Sequence, residues 1–357
     1  MAFVLSTDDL NDIGQYDYEL PLELIAQEPT ANRADSRLMV VHRQTGEIEH
    51  AYVRDLADYL RAGDCVVIND TRVIPARLVG YRKSTGGKWQ GLYLRSDDQG
   101  IWQILCKTRG KLFPGEEIVL KDLQGEDDIS LRLLTRFDEG VWIAVPDSDE
   151  ETFPLLERIG RIPLPHYIRR GEMVAQDRKD YQTVYAVQRG SVAAPTAGLH
   201  FTEKLLRQLM DRGVGIERVT LHIGAGTFRP ITVPRLEAHQ MHSEWCDISG
   251  DTAQRLNEVR AGGGRVIAVG TTSARTLETA AASGRIAGYQ GETKLFIHPP
   301  YRFQAIDGLL TNFHLPRSTL FVLVKTFGGH RLIQTAYETA IAERYRFYSY
   351  GDAMLIL

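Results

Sequence analysis

Two histidines and a glutamate stand close together in the segment EAHQMHSEW. The residues are His239, His242 and Glu244, and the three-residue step would put both histidines on one face of a helix or turn. With His222 as a third ligand they could hold a metal ion, although the spacing differs from that of the zinc-protease motif. The residue types favour acid–base or substrate-orienting roles. A metal-dependent hydrolase or deaminase built on the three histidines stays open as an alternative.

Two glycine-bearing loops follow segments with the pattern of strands. HIGAGTF (222–228) follows the strand-like VTLHI, and its glycines let backbone approach a ligand closely. GTTSAR (270–275) follows the apolar RVIAV and places hydroxyls at a helix N-terminus, where free N–H groups suit an anionic or ribose-bearing ligand. Each loop alone is also explained by a tight turn or a helix cap. Since both lie at the carboxyl ends of strands in an α/β sheet, together they predict a ligand site. Neither has the spacing of a Walker loop or a dinucleotide fingerprint.

Single polar residues also stand among apolar or glycine-rich neighbours in four other segments. They are Asp70 and Arg72 in NDTR, His200 in TAGLHF, His314 in NFHLP and Asp352 in SYGDAM. One such residue usually satisfies nearby backbone groups. Five of them, each close to Gly, Pro or Asn in a predicted loop, favour a convergent polar pocket.

The elements that must position these residues fall into two patterns. Short β-rich runs separated by turn signals fill residues 76–147, and six strands at such even spacing predict a small closed barrel. After residue 151, helical segments alternate with short apolar strands, and Thr202 to Arg212 has the pattern of an amphipathic helix capped by Thr202. We therefore predict a mixed α/β main domain formed by 1–75 and 151–357, with an antiparallel β-barrel domain inserted at 76–150.

Composition narrows the class of protein. The chain has 357 residues, a formal net charge of −4 and three cysteines far apart in the sequence, which argues against a disulfide framework. No secretory signal and no apolar run long enough to span a bilayer is present. These features predict a compact, soluble protein of a reducing cytosol.

Long strings stand out along almost the whole chain: NDTRVIPARL, VAAPTAGLHFT, TLHIGAGTF, TNFHLPRSTL and YRFYSYGDAM. In these strings and in their order, the sequence resembles the S-adenosylmethionine:tRNA ribosyltransferase-isomerase family of the queuosine pathway. Departures are small, such as Ala274 where a valine is more usual. A leader of roughly a dozen residues before Tyr16 is a further departure.

The resemblance implies the activity and the partners. The family attaches the ribosyl part of S-adenosylmethionine, rearranged to an epoxycyclopentane, to 7-aminomethyl-7-deazaguanine at the tRNA wobble position, which gives epoxyqueuosine. Adenine and methionine leave. The resemblance also implies a monomeric cytoplasmic enzyme without a metal or a prosthetic group, with S-adenosylmethionine as co-substrate. A non-catalytic RNA-binding module that uses the barrel stays open as a second alternative.

The implied chemistry assigns roles to the residues singled out above. A sulfonium acidifies the adjacent C5′ hydrogens, so a base can start the reaction, and an acid must help adenine to depart. Four residues are predicted to transfer these protons: Asp70, His222, His242 and Glu244. Because all steps occur on one ribose, we expect them to lie in one pocket with both glycine-bearing loops. The residues predicted to bind the substrate are Asn69, Arg72, Thr196, Gly198, His200, Gly224, Gly226, Thr227, Phe228, Gly270, Thr271, Thr272, Asn312, His314, Tyr350 and Asp352.

Charge along the chain supports a tRNA partner. Residues 76–111 hold eight Lys or Arg against two acids, a balance of +6, whereas residues 112–150 hold three against eleven, a balance of −8. A basic face opposite an acidic one suits directional docking on a phosphate backbone. We predict that Lys107, Arg109 and Lys111 contact tRNA, although for any one of them a solvated barrel surface is the simpler explanation.

Overall fold

The computed structural model of the protein describes residues 6, 8–137, 140–224, 226 and 230–357. They group into two compact units. One contains the described residues up to Arg72 together with Asp180–Gln188 and Ala194–Leu357, and the other contains Val73–Lys179 and Arg189–Ala193. Residues 151–179 thus group with the second unit, while the domain ranges predicted from the sequence stay a prediction.

The strands and helices have the following bounds. In chain order the strands are β1 (Arg37–Val41), β2 (Ile48–Tyr52), β3 (Cys65–Asn69), β4 (Thr71–Val73), β5 (Arg77–Arg82), β6 (Lys88–Ser96), β7 (Trp102–Thr108), β8 (Glu117–Lys121), β9 (Asp127–Arg136), β10 (Val141–Pro146), β11 (Gln188–Ser191), β12 (Gly215–Leu221), β13 (Glu244–Ile248), β14 (Val266–Val269), β15 (Tyr289–Thr293), β16 (Gly308–Asn312) and β17 (Ala353–Ile356). The α-helices are α1 (Thr152–Ile159), α2 (Asp177–Asp180), α3 (Glu203–Asp211), α4 (Gly250–Ala261), α5 (Gly270–Ala280), α6 (Thr319–Gly328) and α7 (His330–Ala342).

A nine-stranded sheet forms the centre of the first unit, in the order β15-β13-β12-β3-β14-β16-β17-β1-β2. The neighbours β12, β3, β14 and β16 run parallel. In β3, β14 and β16 every residue is buried, which is the pattern of parallel strands covered on both faces. The parallel pairing sets all four carboxyl ends at one edge of the sheet.

Local sequence explains how two helices begin beside this sheet. In α3 the Thr202 side chain accepts a hydrogen bond from the Leu205 N–H, which is the N-cap predicted from the sequence. Helix α5 begins directly after β14 at Gly270, whose φ of 87° lies in the left-handed region that favours glycine. The glycine therefore allows the chain to turn from a buried strand into a helix without a loop.

The second unit contains a closed antiparallel barrel in the order β10-β7-β6-β5-β8-β9. Alternate residues of each strand fill its interior, with Trp89, Trp102 and Trp142 as the largest. Leu156 and Ile159 of α1 belong to the same buried cluster, so this helix completes the barrel core. The structure confirms the predicted fold class, a mixed α/β domain with an inserted antiparallel barrel. No helix of the described residues is long and apolar enough to cross a membrane.

Candidate active site

Predicted site residues stand at the ends of all four parallel strands. Strand β3 ends at Asn69, β12 at Leu221, β14 at Val269 and β16 at Asn312. Open α/β sheets bind ligands outside the carboxyl ends of their strands. The edge brings together the following predicted residues: Asn69, Asp70, His222, Gly224, Gly270, Thr271, Thr272, Asn312 and His314.

Asn69 ties three elements of this edge together. Its Nδ2 donates to the Leu221 carbonyl at 3.0 Å and to the Thr272 hydroxyl at 3.1 Å. Its Oδ1 accepts from the backbone N–H groups of Thr71 and Leu221, each at 3.1 Å. These four bonds use the capacity of the buried amide. Asn69 thus positions the neighbouring strands and α5, while direct contact with substrate stays a prediction.

Asp70 is a buried carboxyl with one hydroxyl partner. Its Oδ1 accepts a hydrogen bond from the Thr220 hydroxyl at 2.7 Å, and only 7 % of the residue is exposed. Burial raises the pKa of Asp70 above its ordinary value, although the Thr220 hydrogen bond opposes this. A carboxyl with a raised pKa exchanges protons closer to neutral pH, which suits a general acid or base.

His222 is held by two neighbours. Its Nδ1 is 2.7 Å from the Thr71 hydroxyl, and its ring stacks on Trp245 with the centroids 5.0 Å apart and the planes 18° from parallel. Burial lowers the pKa of His222, so the imidazole is neutral at neutral pH. No described residue forms a hydrogen bond with Nε2, which leaves that nitrogen for proton transfer. Thr71 and Trp245 were not predicted from the sequence.

Glu244 forms a buried ion pair with Arg275. The Arg275 Nη1 donates to Glu244 Oε2, and the two side chains are 3 % and 2 % exposed. Glu244 Oε1 accepts from the Gly224 N–H at 3.0 Å, and Arg275 Nε donates to the Leu295 carbonyl at 3.0 Å. A buried charge requires such partners, so the pair fixes the start of the HIGAGTF loop against α5. Sequence reasoning missed Arg275, although the GTTSAR motif contains it.

The two histidines of EAHQMHSEW, His239 and His242, contact different residues. His242 is exposed, and its ring lies so close to Gly226 that a Cβ at this position would overlap it. His239 packs edge-on against Phe296 at 5.2 Å. The described part of the chain contains no group of three His, Cys, Asp or Glu side chains that could hold a metal. The predicted contacts of Thr227 and Phe228 lie outside the described residues.

A small cavity lies at the same edge. Its volume is about 30 Å³, and residues from the predicted set line it: Thr196, Gly270, Thr271, Thr272, Asn312 and His314. A cavity of this size holds about one water molecule or hydroxyl group. Ile223, the chain neighbour of His222 and Gly224, also lines it.

Two neutral histidines support the cavity. Burial lowers the pKa of His314 to about 3, and burial with the nearby Arg346 lowers that of His200 to about 3. His314 Nε2 is 2.7 Å from the Thr311 hydroxyl, and His200 Nε2 is 3.1 Å from Asn312 Nδ2. Among the described residues, those that line the cavity are therefore uncharged at neutral pH.

Four further residues predicted to bind the substrate do not line this cavity. Asp352 accepts from the Arg37 N–H at 3.0 Å and the Arg346 N–H at 2.8 Å, and these bonds hold the chain end in the sheet. Buried Tyr350 packs edge-on against Tyr181, whereas Arg72 is exposed. A Cβ on Gly198 would overlap the Tyr185 hydroxyl, so glycine is needed there for packing. Substrate contact by these four residues stays a prediction.

The predicted tRNA residues lie on the barrel surface. Lys107, Arg109 and Lys111 are exposed, and none forms an ion pair with a described residue. The Arg82 guanidinium donates to the carbonyls of Arg109 and Lys111 at 3.3 and 3.1 Å, which fixes this segment. Exposed Phe113 lies beside Lys111, with Nζ 5.9 Å from the ring centroid. Free cations with an exposed aromatic ring are the combination that RNA-binding surfaces use.

Comparisons with known proteins agree over nearly the whole chain. The profile of a family described as "Queuosine biosynthesis protein" matches residues 13–356. A protein of Symbiobacterium thermophilum named S-adenosylmethionine:tRNA ribosyltransferase-isomerase is 51 % identical over 352 residues, 97 % of this chain and 99 % of the relative. A protein of the same name from Desulfitobacterium hafniense is 48 % identical, with 96 % of this chain and 98 % of the relative covered. The crystal structure of S-adenosylmethionine tRNA ribosyltransferase from Thermotoga maritima is 37 % identical, covers 96 % of this chain and 100 % of that chain, and has a TM-score of 0.55.

Proposed function

We propose that this chain, which belongs to the family of queuosine biosynthesis proteins, performs its chemistry at the carboxyl edge of the nine-stranded sheet. It is a tRNA-modifying transferase-isomerase. It transfers and isomerises the ribosyl moiety of S-adenosylmethionine onto 7-aminomethyl-7-deazaguanine at the wobble position of tRNA, which gives epoxyqueuosine and releases adenine and methionine. The observation that supports this location is the convergence of titratable side chains and a cavity on the ends of four parallel strands.

His222 is the proposed base. Removal of a C5′ proton next to the sulfonium requires an unprotonated acceptor held in one orientation. His222 meets both conditions, because burial keeps the imidazole neutral and Thr71 and Trp245 hold its ring. The C5′ proton passes to Nε2, and its electron pair stays on the carbon beside the sulfonium.

Asp70 is the proposed second proton-transfer group. Its pKa is raised by burial, so it is the carboxyl at this edge best suited to carry a proton to the departing adenine. Glu244 has both oxygens bonded, to Gly224 and to Arg275, so we assign it to positioning of the loop rather than to proton transfer. His242 stays a candidate acid on the exposed side of that loop.

The partners follow from the same reaction. S-adenosylmethionine is a co-substrate, and we propose that the enzyme needs no prosthetic group. The tRNA binds through Lys107, Arg109 and Lys111, which no described acid neutralises. We also propose a cytoplasmic monomer, which sedimentation of the purified protein with and without tRNA would test.

A turnover assay tests the function and the two main roles. The purified protein is mixed with S-adenosylmethionine and tRNA that carries 7-aminomethyl-7-deazaguanine, and adenine, methionine and modified tRNA are quantified. We expect the three products in equal amounts, and none with tRNA that carries guanine at the wobble position. His222→Gln and Asp70→Asn should each lower kcat about 10²- to 10⁴-fold, while the control His239→Gln stays near wild type. Folded wild-type protein that releases no adenine would contradict the function.

A further inference from the structure

Asn312 carries a buried acceptor without a partner. The residue ends β16 and is 2 % exposed. Its Nδ2 donates to the Tyr348 carbonyl at 3.2 Å and lies 3.1 Å from His200 Nε2. Its Oδ1 forms no hydrogen bond with any described residue. A buried acceptor left alone is costly, so native proteins rarely retain one without a use.

The amide cannot turn to satisfy this atom. Tyr348 has a φ of 71°, a left-handed conformation that is uncommon for a bulky residue and that neighbouring contacts must maintain. The Tyr348 N–H donates to the Phe313 carbonyl at 3.0 Å, and its carbonyl accepts from Asn312 Nδ2. A rotated Asn312 would place Oδ1 against that carbonyl and repel it. The surrounding backbone therefore fixes which side of the amide carries the free acceptor.

The cavity beside Asn312 restricts what can supply the missing donor. Asn312 lines it together with three hydroxyl residues, Thr196, Thr271 and Thr272. Its volume of about 30 Å³ accepts one hydroxyl group. No described Asp, Glu, Lys or Arg side chain lines the cavity, and His314 is neutral, so the lining offers no countercharge for a carboxylate or an ammonium group. The donor is thus small and uncharged.

We propose that Asn312 Oδ1 accepts a hydrogen bond from one ribose hydroxyl of S-adenosylmethionine. The inference rests on the proposed function, in which the ribose is the group that is transferred. A hydroxyl held in this cavity fixes the ribose beside Ile223, whose chain neighbours are His222 and Gly224. Asn312 is then a specificity residue, since a site built around a hydroxyl discriminates strongly against ligands that lack it.

The test uses three analogues of S-adenosylmethionine as inhibitors of turnover, with the modified tRNA substrate present. They are the 2′-deoxy, the 3′-deoxy and the 6-deamino analogues, and each removes one hydrogen-bond donor without adding bulk. Inhibition constants are measured for the wild type and Asn312→Ala. Asn257→Ala is the control, because Asn257 also donates to two carbonyls, those of Ala253 and Ile286, but does not line this cavity.

We expect Asn312→Ala to weaken the 6-deamino analogue about 10- to 100-fold and to leave one of the two deoxy analogues unaffected. That deoxy analogue identifies the bound hydroxyl. If the 6-deamino analogue is the insensitive one, Asn312 contacts the adenine amine and the proposal is wrong. Equal effects on all three analogues, or none, also overturn it.

If the Ala variant fails to fold, equal inhibition of the wild type by all three analogues rejects the proposal. Wild-type turnover of S-adenosylmethionine in the same assay checks the proposed function separately.

Discussion

Charged side chains have opposite surroundings at the sheet edge and on the barrel. At the edge, Glu244 and Arg275 are almost fully buried and bonded to each other. On the barrel, Lys107, Arg109 and Lys111 are exposed and form no ion pair with a described residue. A buried pair fixes geometry and is costly to break, whereas exposed cations stay free for a phosphate backbone and are screened by salt. The first arrangement suits chemistry on one ribose, and the second suits docking of a large polyanion.

The largest expected effect comes from breaking the buried pair. Arg275→Ala leaves the Glu244 carboxylate buried without its cation, so we expect the free energy of unfolding in urea to fall by about 3–5 kcal/mol. The control is Arg54→Ala, because the Arg54–Asp35 pair has a 2.8 Å contact but its side chains are 50 % and 46 % exposed. That variant should lose less than about 1 kcal/mol. If both variants lose a similar free energy of unfolding, burial does not explain the contribution of the Glu244–Arg275 pair to stability.

The second prediction concerns acid sensitivity of the sheet edge. The pKa of His200 is about 3 in the folded protein and about 6.5 when unfolded, so the unfolded chain binds more protons between these values. Stability is therefore lost as the pH falls below about 6.5, by about 1.4 kcal/mol per pH unit for this group. We therefore measure the free energy of unfolding in urea from pH 7 to pH 4. Its slope against pH should be smaller in His200→Gln than in the wild type by that amount. The exposed His166→Gln is the control, and an equal change of slope in both variants would contradict the assignment.

Sequence patterns predicted the placement of the edge well because its signals are local. The glycine-bearing loops were predicted to follow strands VTLHI and RVIAV, and the structure has β12 and β14 there. The helix predicted from Thr202 to Arg212 corresponds to α3, and its Thr202 cap is confirmed. Turn residues between short β runs were enough to predict the barrel. Each of these signals depends on a strand period, a cap or a turn, all of which involve neighbours in sequence.

Partners across the fold could not be predicted in the same way. In the sequence, Arg275 stands in the first turns of a predicted helix, where an arginine usually faces solvent. Its partner Glu244 becomes a neighbour only because α5 packs against β13. The Thr71 contact with His222 joins residues 151 positions apart. The glycine neighbour of Asp352 gave no sign that its carboxylate accepts hydrogen bonds from the backbone N–H groups of Arg37 and Arg346. Sequence patterns indicate which residues are polar and unusual, but not which partner satisfies them.

The third prediction sharpens the barrel side of the comparison. Replacing Lys107, Arg109 and Lys111 by Ala should weaken tRNA binding and lower the slope of log affinity against log salt by about 2–3, because each lost phosphate contact contributes about 0.7–0.9. The control is Lys83→Ala with Arg132→Ala, since both cations already pair with Glu117. Filter binding from 50 to 300 mM salt measures the slope. An unchanged slope would move the docking surface to another basic segment, such as 169–179.

The smallest expected effect concerns a neutral hydrogen bond at the sheet edge. It tests whether this contact, like the buried ion pair, contributes to the function of the edge. The Thr71 hydroxyl lies 2.7 Å from His222 Nδ1, so Thr71→Val removes the polar partner of the proposed base at nearly unchanged volume. A lost neutral hydrogen bond is worth about 0.5–1.5 kcal/mol, and we therefore expect kcat to fall about 3- to 10-fold with little change in the KM for S-adenosylmethionine. Thr71→Ser, which keeps the hydroxyl, should restore kcat. Thr279→Val removes a comparable hydroxyl pair, with Thr293 at 2.7 Å, and should leave kcat near wild type. If Thr71→Val raises KM and leaves kcat unchanged, Thr71 helps to bind substrate and does not orient His222.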